Sequence, residues 1–402
     1  MALISVAQAL EHVLAYAAPL AVEQAPLDDA DGRVLTEDLK ALRTQPPADV
    51  SAMDGYAVRA GDVANAPVRL KVIGEVAAGR PFTAAIGPGE AARIFTGGVV
   101  PDGADTVVIQ ELTKRDGDDV EVQKVTAKSR NVRKQGLDFR AGDNLFAKGH
   151  RLTARDLALA AGMNHPRLPV HRRPKVALFA TGDELVPPGA QLGPGQIVYS
   201  NGYALAALAR EEGAAVTDLG VVADRLDETI AAVRRARDLK ADILVTTGGA
   251  SVGDYDLVQK AFAAEGMELS FWKIAMRPGR PLMHGRLGAM HVLGLPGNPV
   301  SSYVCAFLFL VPLIRRMSGR SDLVAPIESA VLGCDLPAND ERADYLRATL
   351  ERGSDGLIAT PFPAQDSSMM APLAKSNCLL IREPYAPAAK AGSRCAIVKF
   401  ER

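Results

Sequence analysis

The spacing of apolar positions changes several times along this chain of 402 residues. Residues 1–20 place Leu3, Val6, Ala7, Leu10, Val13 and Leu14 at helical intervals, which predicts an amphipathic helix packing on a larger domain. A polar link over residues 21–43 follows. From 44 to 138 the apolar runs are short (VRLKVIGEV, ARIFTG, DTVVIQEL, DVEVQKV) and broken by Gly, Pro and Asp, the pattern of a small inserted β-rich domain. Residues 139–170 turn towards helix at ARDLALAAGM and are expected to pack with the 21–43 link as a separate piece. Between 171 and 320, strands at Lys175, Ala215, Asp242 and near Ser270 alternate with helices from Asn201, from Asp227, after Asp254 and from Pro299. That alternation predicts a three-layer α/β domain around a parallel-rich sheet. The remainder, 321–402, carries IESAVLGCDL, DYLRATLE, LIATPF, CLLIREP and RCAIVKFE with turns between, which predicts a C-terminal β-barrel-like domain. The fold class expected is multi-domain α/β plus β.

The strands of the α/β region end in loops rich in glycines, carboxylates and hydroxyls: FATGDEL, VVAD, TTGGASVGDYD, MRPGRP and GLPGNPVSS. Ligands of open parallel sheets sit at these carboxyl ends, so the loops point at one crevice. The Gly248 and Gly249 pair lets backbone N–H groups approach an anion at the mouth of the next helix. Asp183 or Glu184, Asp224, Asp254 and Asp256 lie at the same ends, and two carboxylates ~6 Å apart at an effective dielectric of ~20 repel by ~3 kcal/mol. A divalent cation resolves that conflict, and hard oxygen ligands beside phosphate oxygens favour magnesium. Arg277 and Arg280 supply fixed positive charge for a second oxyanion. A glycine pair also makes a tight turn and an aspartate also caps a helix; the argument rests on five such loops in one series.

Composition narrows the function. The 46 Lys and Arg nearly cancel the 47 Asp and Glu, so no global field draws the chain to nucleic acid or an anionic membrane, and a small local ligand is expected. Cys305, Cys334, Cys378 and Cys395 show neither CxxC spacing nor histidine neighbours and read as reduced thiols. His150, His165, His171, His284 and His291 lack metal-ligand spacing and read as surface or packing residues. The N-terminal run carries Glu11 and His12 and no basic start, unlike a signal peptide, and the apolar stretch from Tyr303 to Ile314 reads as too short to span a bilayer. No membrane or nucleic-acid partner and a cytoplasmic location are expected. Asp54, in SAMDGYAV, reads from its turn context as bonding its own backbone.

SAMDGYAV, TGGVVPDGADTVV, RKQGLDF, FATGDEL, TGGASVGDYD and LPGNPVSS together, in this order, resemble the molybdopterin molybdenumtransferases, the MoeA and gephyrin E-domain family. The resemblance implies molybdate insertion into adenylylated molybdopterin with release of AMP, assisted by magnesium. It implies Asp54, Thr96, Asp138, Glu184, Asp224 and Asp256 as catalytic positions, with Glu184, Asp224 and Asp256 on the metal. Thr181, Gly248, Gly249, Ser251, Gly253, Arg277, Arg280, Pro296, Gly297, Pro299 and Ser301 fall at positions expected to bind substrate. Asn298 either caps the following helix or donates to the pterin. Arg277, Arg280, Arg347, Ser367 and Ser368 are matched to molybdate, although the family's PGKP lysine is replaced here by arginine and its serine-rich stretch is only loosely present.

The resemblance further implies a homodimer whose β-rich domain covers the partner's crevice, so that active sites are shared. A molybdopterin adenylyltransferase and molybdoenzyme maturation proteins are the expected further partners. The alternatives are a molybdopterin-binding adenylyltransferase or nucleotide hydrolase, from which SAMDGYAV separates this chain, and a gephyrin-like scaffold.

Overall fold

Strand-side alternation builds the central domain. In Lys175–Thr181, Val176 and Leu178 face one way, towards Leu205, Ala209 and the helix after Pro299. Ala177 and Phe179 face the other, towards Val233, Ala236, Val258 and Phe262. Both faces are therefore covered by helices, which is why these strands read as continuous apolar runs. The computed structural model describes residues 3–80, 82–248, 257–353 and 356–400.

The six strands of this sheet run in the order Ala215–Val222, Lys175–Thr181, Ile243–Thr247, Met290–Leu295, Met283–Leu287, Glu268–Trp272. The first four are parallel. Met283–Leu287 pairs antiparallel to both neighbours, through a two-residue turn at Gly288 and Ala289 in which Gly288 takes φ +65°. The expected three-layer, parallel-rich domain is thus present, with a hairpin that the alternating βα pattern did not predict. Because the second strand lies outside the first and the third on its other side, the sheet order reverses between Lys175–Thr181 and Ile243–Thr247. Open α/β sheets bind ligands at such a switch point.

Helix Val6–Leu14 opens with a capping box: Ser5 Oγ accepts from the Gln8 N–H at 3.2 Å, and Gln8 Oε1 accepts from the Ser5 N–H at 3.0 Å. It buries Ala9 and Val13 in the core that holds Leu313 and Ile314. The apolar stretch after Pro299 proves longer than its sequence suggested. It runs continuously from Pro299 to Met317, 19 residues with a mean hydropathy of 1.5, long and apolar enough to cross a membrane by those measures. Of its most apolar window, 83% is buried inside the protein, where it serves as the core helix of the α/β domain. A wide π turn at Ala306–Leu310 precedes Pro312, whose ring would crowd the Leu308 carbonyl in a regular α-helix.

Residues 25–41 and 139–170 share a second core around Leu35, Phe139, Leu152, Met163 and Leu168, and Val22–Pro26 pairs antiparallel to Arg167–His171. The β-rich part forms a six-stranded sheet in the order Thr106–Ile109, Gly55–Val58, Glu90–Ile94, Val68–Val76, Asp119–Val122, Thr113–Asp116. At the C-terminus, Ala343–Gly353, Gly356–Pro361, Ile327–Leu332, Arg394–Lys399 and Cys378–Arg382 pair in sequence, and the last returns to Ala343–Gly353. This closes a five-stranded barrel, which abolishes free edges. Met276–Arg277, from the loop region of the α/β domain, pairs parallel to Ala343–Asp344 and joins barrel to sheet.

One buried charge network fastens the helices. Glu212, at the end of helix Asn201–Glu211, accepts from Arg315 Nε at 2.8 Å and Nη2 at 2.6 Å and from Arg320 Nη1 at 2.6 Å; all three residues are buried. Removing Glu212 leaves the buried Arg315 without its ion-pair partner, while Arg320 keeps Asp322. Glu212→Ala is expected to lower unfolding free energy by about 3–5 kcal/mol, read by denaturant titration.

Candidate active site

The crevice opens at the switch point. Gly248 follows strand Ile243–Thr247 with φ +87°, and a side chain there would place its Cβ 2.5 Å from the Thr181 carbonyl oxygen and 3.1 Å from Thr181 Oγ1. Only glycine allows the ends of the two central strands to come this close. A Cβ on Gly297, after the next parallel strand, would lie 3.6 Å from the Gly248 backbone, and the Gly297 carbonyl accepts from Asn201 Nδ2 at 2.7 Å. Around this core lies a cavity of about 600 Å³ reached by Thr181, Glu184, Tyr199, Pro296, Pro299 and Ser368. Thr181 is 5% exposed, and its hydroxyl has no partner among the described residues. An unsatisfied buried hydroxyl at a cavity wall is a ready donor or acceptor for a ligand. Ser301 is buried on the first turn of the helix after Pro299.

Three carboxylates gather at the rim. The Asp224 N–H donates to Asp183 Oδ1 at 3.1 Å. Burial, then the charges of Asp183 and Glu184, hold the Asp224 carboxyl above its ordinary value. The repulsion expected from the sequence is therefore present between these groups. Their donors are hard oxygens, which fit magnesium. No group of three His, Cys, Asp or Glu surrounds a metal position among the described residues. Gly249, Ser251, Gly253, Asp254 and Asp256 lie outside the described residues.

A loop of the barrel faces the same mouth. Ser367 accepts from Asn298 Nδ2 at 2.8 Å, and its carbonyl accepts from the Val300 N–H at 3.1 Å. Asn298 holds the N-cap position but makes no side-chain cap bond, so the cap reading of this residue is corrected: its amide reaches the barrel loop instead. Ser368 Oγ donates to Asp366 at 2.6 Å. Arg347 is 1% exposed and donates to the carbonyls of Met369 and Asp366, both at 2.9 Å, and to Gln365 Oε1 at 3.3 Å. Its fork shapes the serine loop from beneath.

Arg277 forks onto Asp344, with Nε at 2.8 Å from Oδ1, and its Nη1 lies 3.5 Å from Asp340. Its charge is thus shared with two carboxylates. Arg280 is exposed and forms no ion pair among the described residues, which leaves it the freer of the two for an oxyanion. Between them Gly279, at φ +111°, packs directly on Cys305 and pins the loop to the core helix.

Asp54 does not bond its own backbone. Its Oδ1 accepts from the Thr96 N–H at 2.7 Å and from Thr96 Oγ1 at 2.8 Å, bonds that pull its carboxyl below the usual range, and the local turn is made by Ser51 instead. Asp138 is exposed, with its backbone N–H on the Gln45 carbonyl at 3.0 Å. Among the described residues no hydrogen bond or ion pair links Asp54, Thr96 or Asp138 to the crevice. Sequence reasoning passed over Tyr199, which is buried at the crevice with its hydroxyl 3.3 Å from Asp218 Oδ2, and Asn201. Both lie just before or at the start of a helix, where no glycine or carboxylate pattern marked them.

Three family models match in chain order: the MoeA N-terminal region (domain I and II) over residues 4–164, the probable molybdopterin binding domain over 177–316 and the MoeA C-terminal region (domain IV) over 329–400. Molybdopterin molybdenumtransferase 2 of Mycobacterium tuberculosis is 37% identical over 364 residues, covering 88% of this chain and 89% of that one. Molybdopterin molybdenumtransferase of Bacillus subtilis is 36% identical over 389 residues, covering 94% and 90%. Two solved structures of Pyrococcus horikoshii molybdopterin biosynthesis MoeA proteins align with TM-scores of 0.83 at 32% identity, covering 100% of both chains, and 0.79 at 28%, covering 99% and 100%. A switch-point crevice faced by a loop of the barrel, in a chain matching these three regions in order, defines an enzyme class of molybdenum cofactor biosynthesis. The chain belongs to the MoeA family, the molybdopterin molybdenumtransferases.

The raised Asp224 carboxyl carries a signed expectation. Its contribution to stability is fully present below the unfolded value of 3.8 and is lost as pH rises through the higher folded value. Asp224→Asn is therefore expected to melt higher than the parent at pH 7, with the difference vanishing near pH 3.5. Thermal melts at both pH values check this.

Proposed function

We propose that the protein inserts molybdate into adenylylated molybdopterin with release of AMP. The observation that carries this reading is the crevice itself: a glycine-only approach at Gly248, an unpartnered Thr181 hydroxyl, a carboxylate cluster at one rim and a serine loop at the other. The Gly248 loop suits the phosphoanhydride, since backbone N–H groups bind phosphate oxygens without a side chain in the way. Thr181 offers its hydroxyl to the same group. Arg280 offers positive charge for molybdate, whereas Arg277 is engaged by Asp344 in a separate cavity, and Ser367 and Ser368 offer neutral oxygens near the mouth.

Glu184 and Asp224, with Asp256, would hold Mg2+. Bound there, the ion would polarise the anhydride and offset the negative charge that develops as it is cleaved. Ionised, Glu184 and Asp224 accept and do not donate, so the residues' own part is to hold charge at the rim and orient a water between it and the phosphate. No covalent nucleophile is required, because charge stabilisation accounts for the chemistry.

Asp54, Thr96 and Asp138 act in this reading on the crevice of a second copy, in a homodimer with shared sites. That arrangement supplies the carboxylate which the chain's own β-rich domain does not link to its own crevice. The substrate comes from a molybdopterin adenylyltransferase and the product passes to molybdoenzyme maturation proteins, in the cytoplasm.

The purified protein, given adenylylated molybdopterin, Mg2+ and molybdate, is expected to release AMP and form active cofactor only when molybdate is present. AMP without cofactor would sink the insertion reading in favour of a hydrolase. Asp54→Ala and Glu184→Ala are each expected to abolish turnover, while mixed dimers of the two recover up to one functional site. A mixture that stays inactive, despite proven subunit exchange, would rule out shared sites.

A further inference from the structure

We propose that Arg93 is a positioning residue for Asp54, holding the two successive carbonyls of Asp54 and Gly55 that anchor this carboxylate's turn. The inference rests on the proposed role of Asp54 and adds a residue to which no role was assigned above. Arg93 lies on strand Glu90–Ile94, opposite Tyr56 in the antiparallel pairing with Gly55–Val58. Its Nη1 donates to the Gly55 carbonyl at 3.1 Å, immediately after Asp54. Its Nη2 donates to Gln110 Oε1 at 2.8 Å. Gln110 in turn donates its backbone N–H to the Asp54 carbonyl at 3.1 Å. One planar fork therefore holds two successive carbonyls, that of Gly55 directly and that of Asp54 itself through Gln110.

The fork is itself held. Its guanidinium carbon lies 5.2 Å from the Tyr56 ring centroid and 4.9 Å from that of Phe95, so two aromatic faces fix its plane. Gly55 removes the remaining freedom, because any Cβ there would collide with the Val108 carbonyl. Thr96 then fixes the carboxylate with two bonds. The charge of Arg93 also helps, after the Thr96 bonds, to keep the Asp54 carboxyl ionised. Lysine can replace that charge but cannot make two divergent planar bonds.

The test uses the full-length protein and two readouts. In backbone hydrogen exchange, Arg93→Ala is expected to speed exchange of the Gln110 and Thr96 amides by roughly tenfold or more, while the Val108 amide of the strand ladder and the Val107 amide, bonded to the Arg130 carbonyl, keep their parental rates. Unchanged exchange at Gln110 and Thr96 overturns the clamp. Faster exchange throughout the sheet also overturns it, since that marks a general support of the fold. In molybdate-dependent cofactor formation, Arg93→Ala is expected to lose roughly tenfold in kcat at unchanged KM for molybdate, and its acid limb is expected to move to higher pH. Arg93→Lys is expected to restore the acid limb and only part of kcat. Parental kcat in Arg93→Ala overturns the positioning role. If Asp54→Ala itself turns over normally, the assigned role of Asp54 falls, and the exchange data still decide whether Arg93 holds the turn.

Discussion

Everything at the candidate site depends on how closely three parallel strand ends can approach. Gly248 brings its backbone against the Thr181 carbonyl, and Gly297 brings the next strand end against Gly248. Any side chain at position 248 would force the two central strands apart at the one place where the sheet order reverses. The hydroxyl of Thr181, the carboxylate rim and the loop before the core helix all take their positions from that contact. The surrounding apolar layers serve it: Val176 and Leu178 on one face and Ala177 and Phe179 on the other hold the strands rigid without entering the crevice.

Charge is handled differently at the rim and beneath it. Asp183, Glu184 and Asp224 remain near solvent and repel one another, a strain that costs stability and leaves the cluster receptive to a cation. Deeper charges are neutralised within the protein. Glu212 is enclosed by two guanidinium groups, and Arg347 gives its donors to the carbonyls that shape the serine loop. Arg277 stands between these cases, bidentate to buried Asp344 yet half exposed. The same residue type thus serves as scaffold at position 347 and, among the described residues, forms no ion pair at 280.

The sheet was legible in the sequence because strands buried on both faces print uninterrupted apolar runs, and most crevice loops announced themselves by glycine, though the Tyr199–Asn201 segment did not. The hairpin Met283–Leu295 was not, since its apolar, glycine-containing run has no polar turn to divide it. Contacts between distant segments were also hidden. The partner of Asp54 is Thr96, forty-two positions away, and no local pattern reports which residue a turn carboxylate will meet. Asn298 sits where a cap belongs by every local rule, yet its side-chain oxygen accepts no helix N–H and its amide nitrogen donates to Ser367 of the barrel loop. The resemblance matched Arg347 to molybdate, and its burial under its own loop, with its donors on loop carbonyls, is a tertiary fact that no local pattern reports.

The two-residue ladder between Met276–Arg277 and Ala343–Asp344 gives the molecule a seam that the linear order of its modules conceals. Along the chain, barrel and α/β domain meet only once, after the core helix. In space they are stitched again, by the ladder's backbone bonds with the Arg277–Asp344 fork and by Ser367 on Asn298 and Val300 at the crevice. A module exchanged between relatives at the sequence boundary would therefore arrive with one stitch cut. The barrel and the crevice must be inherited as a matched pair, and the catalytic mouth is the place where that match is kept.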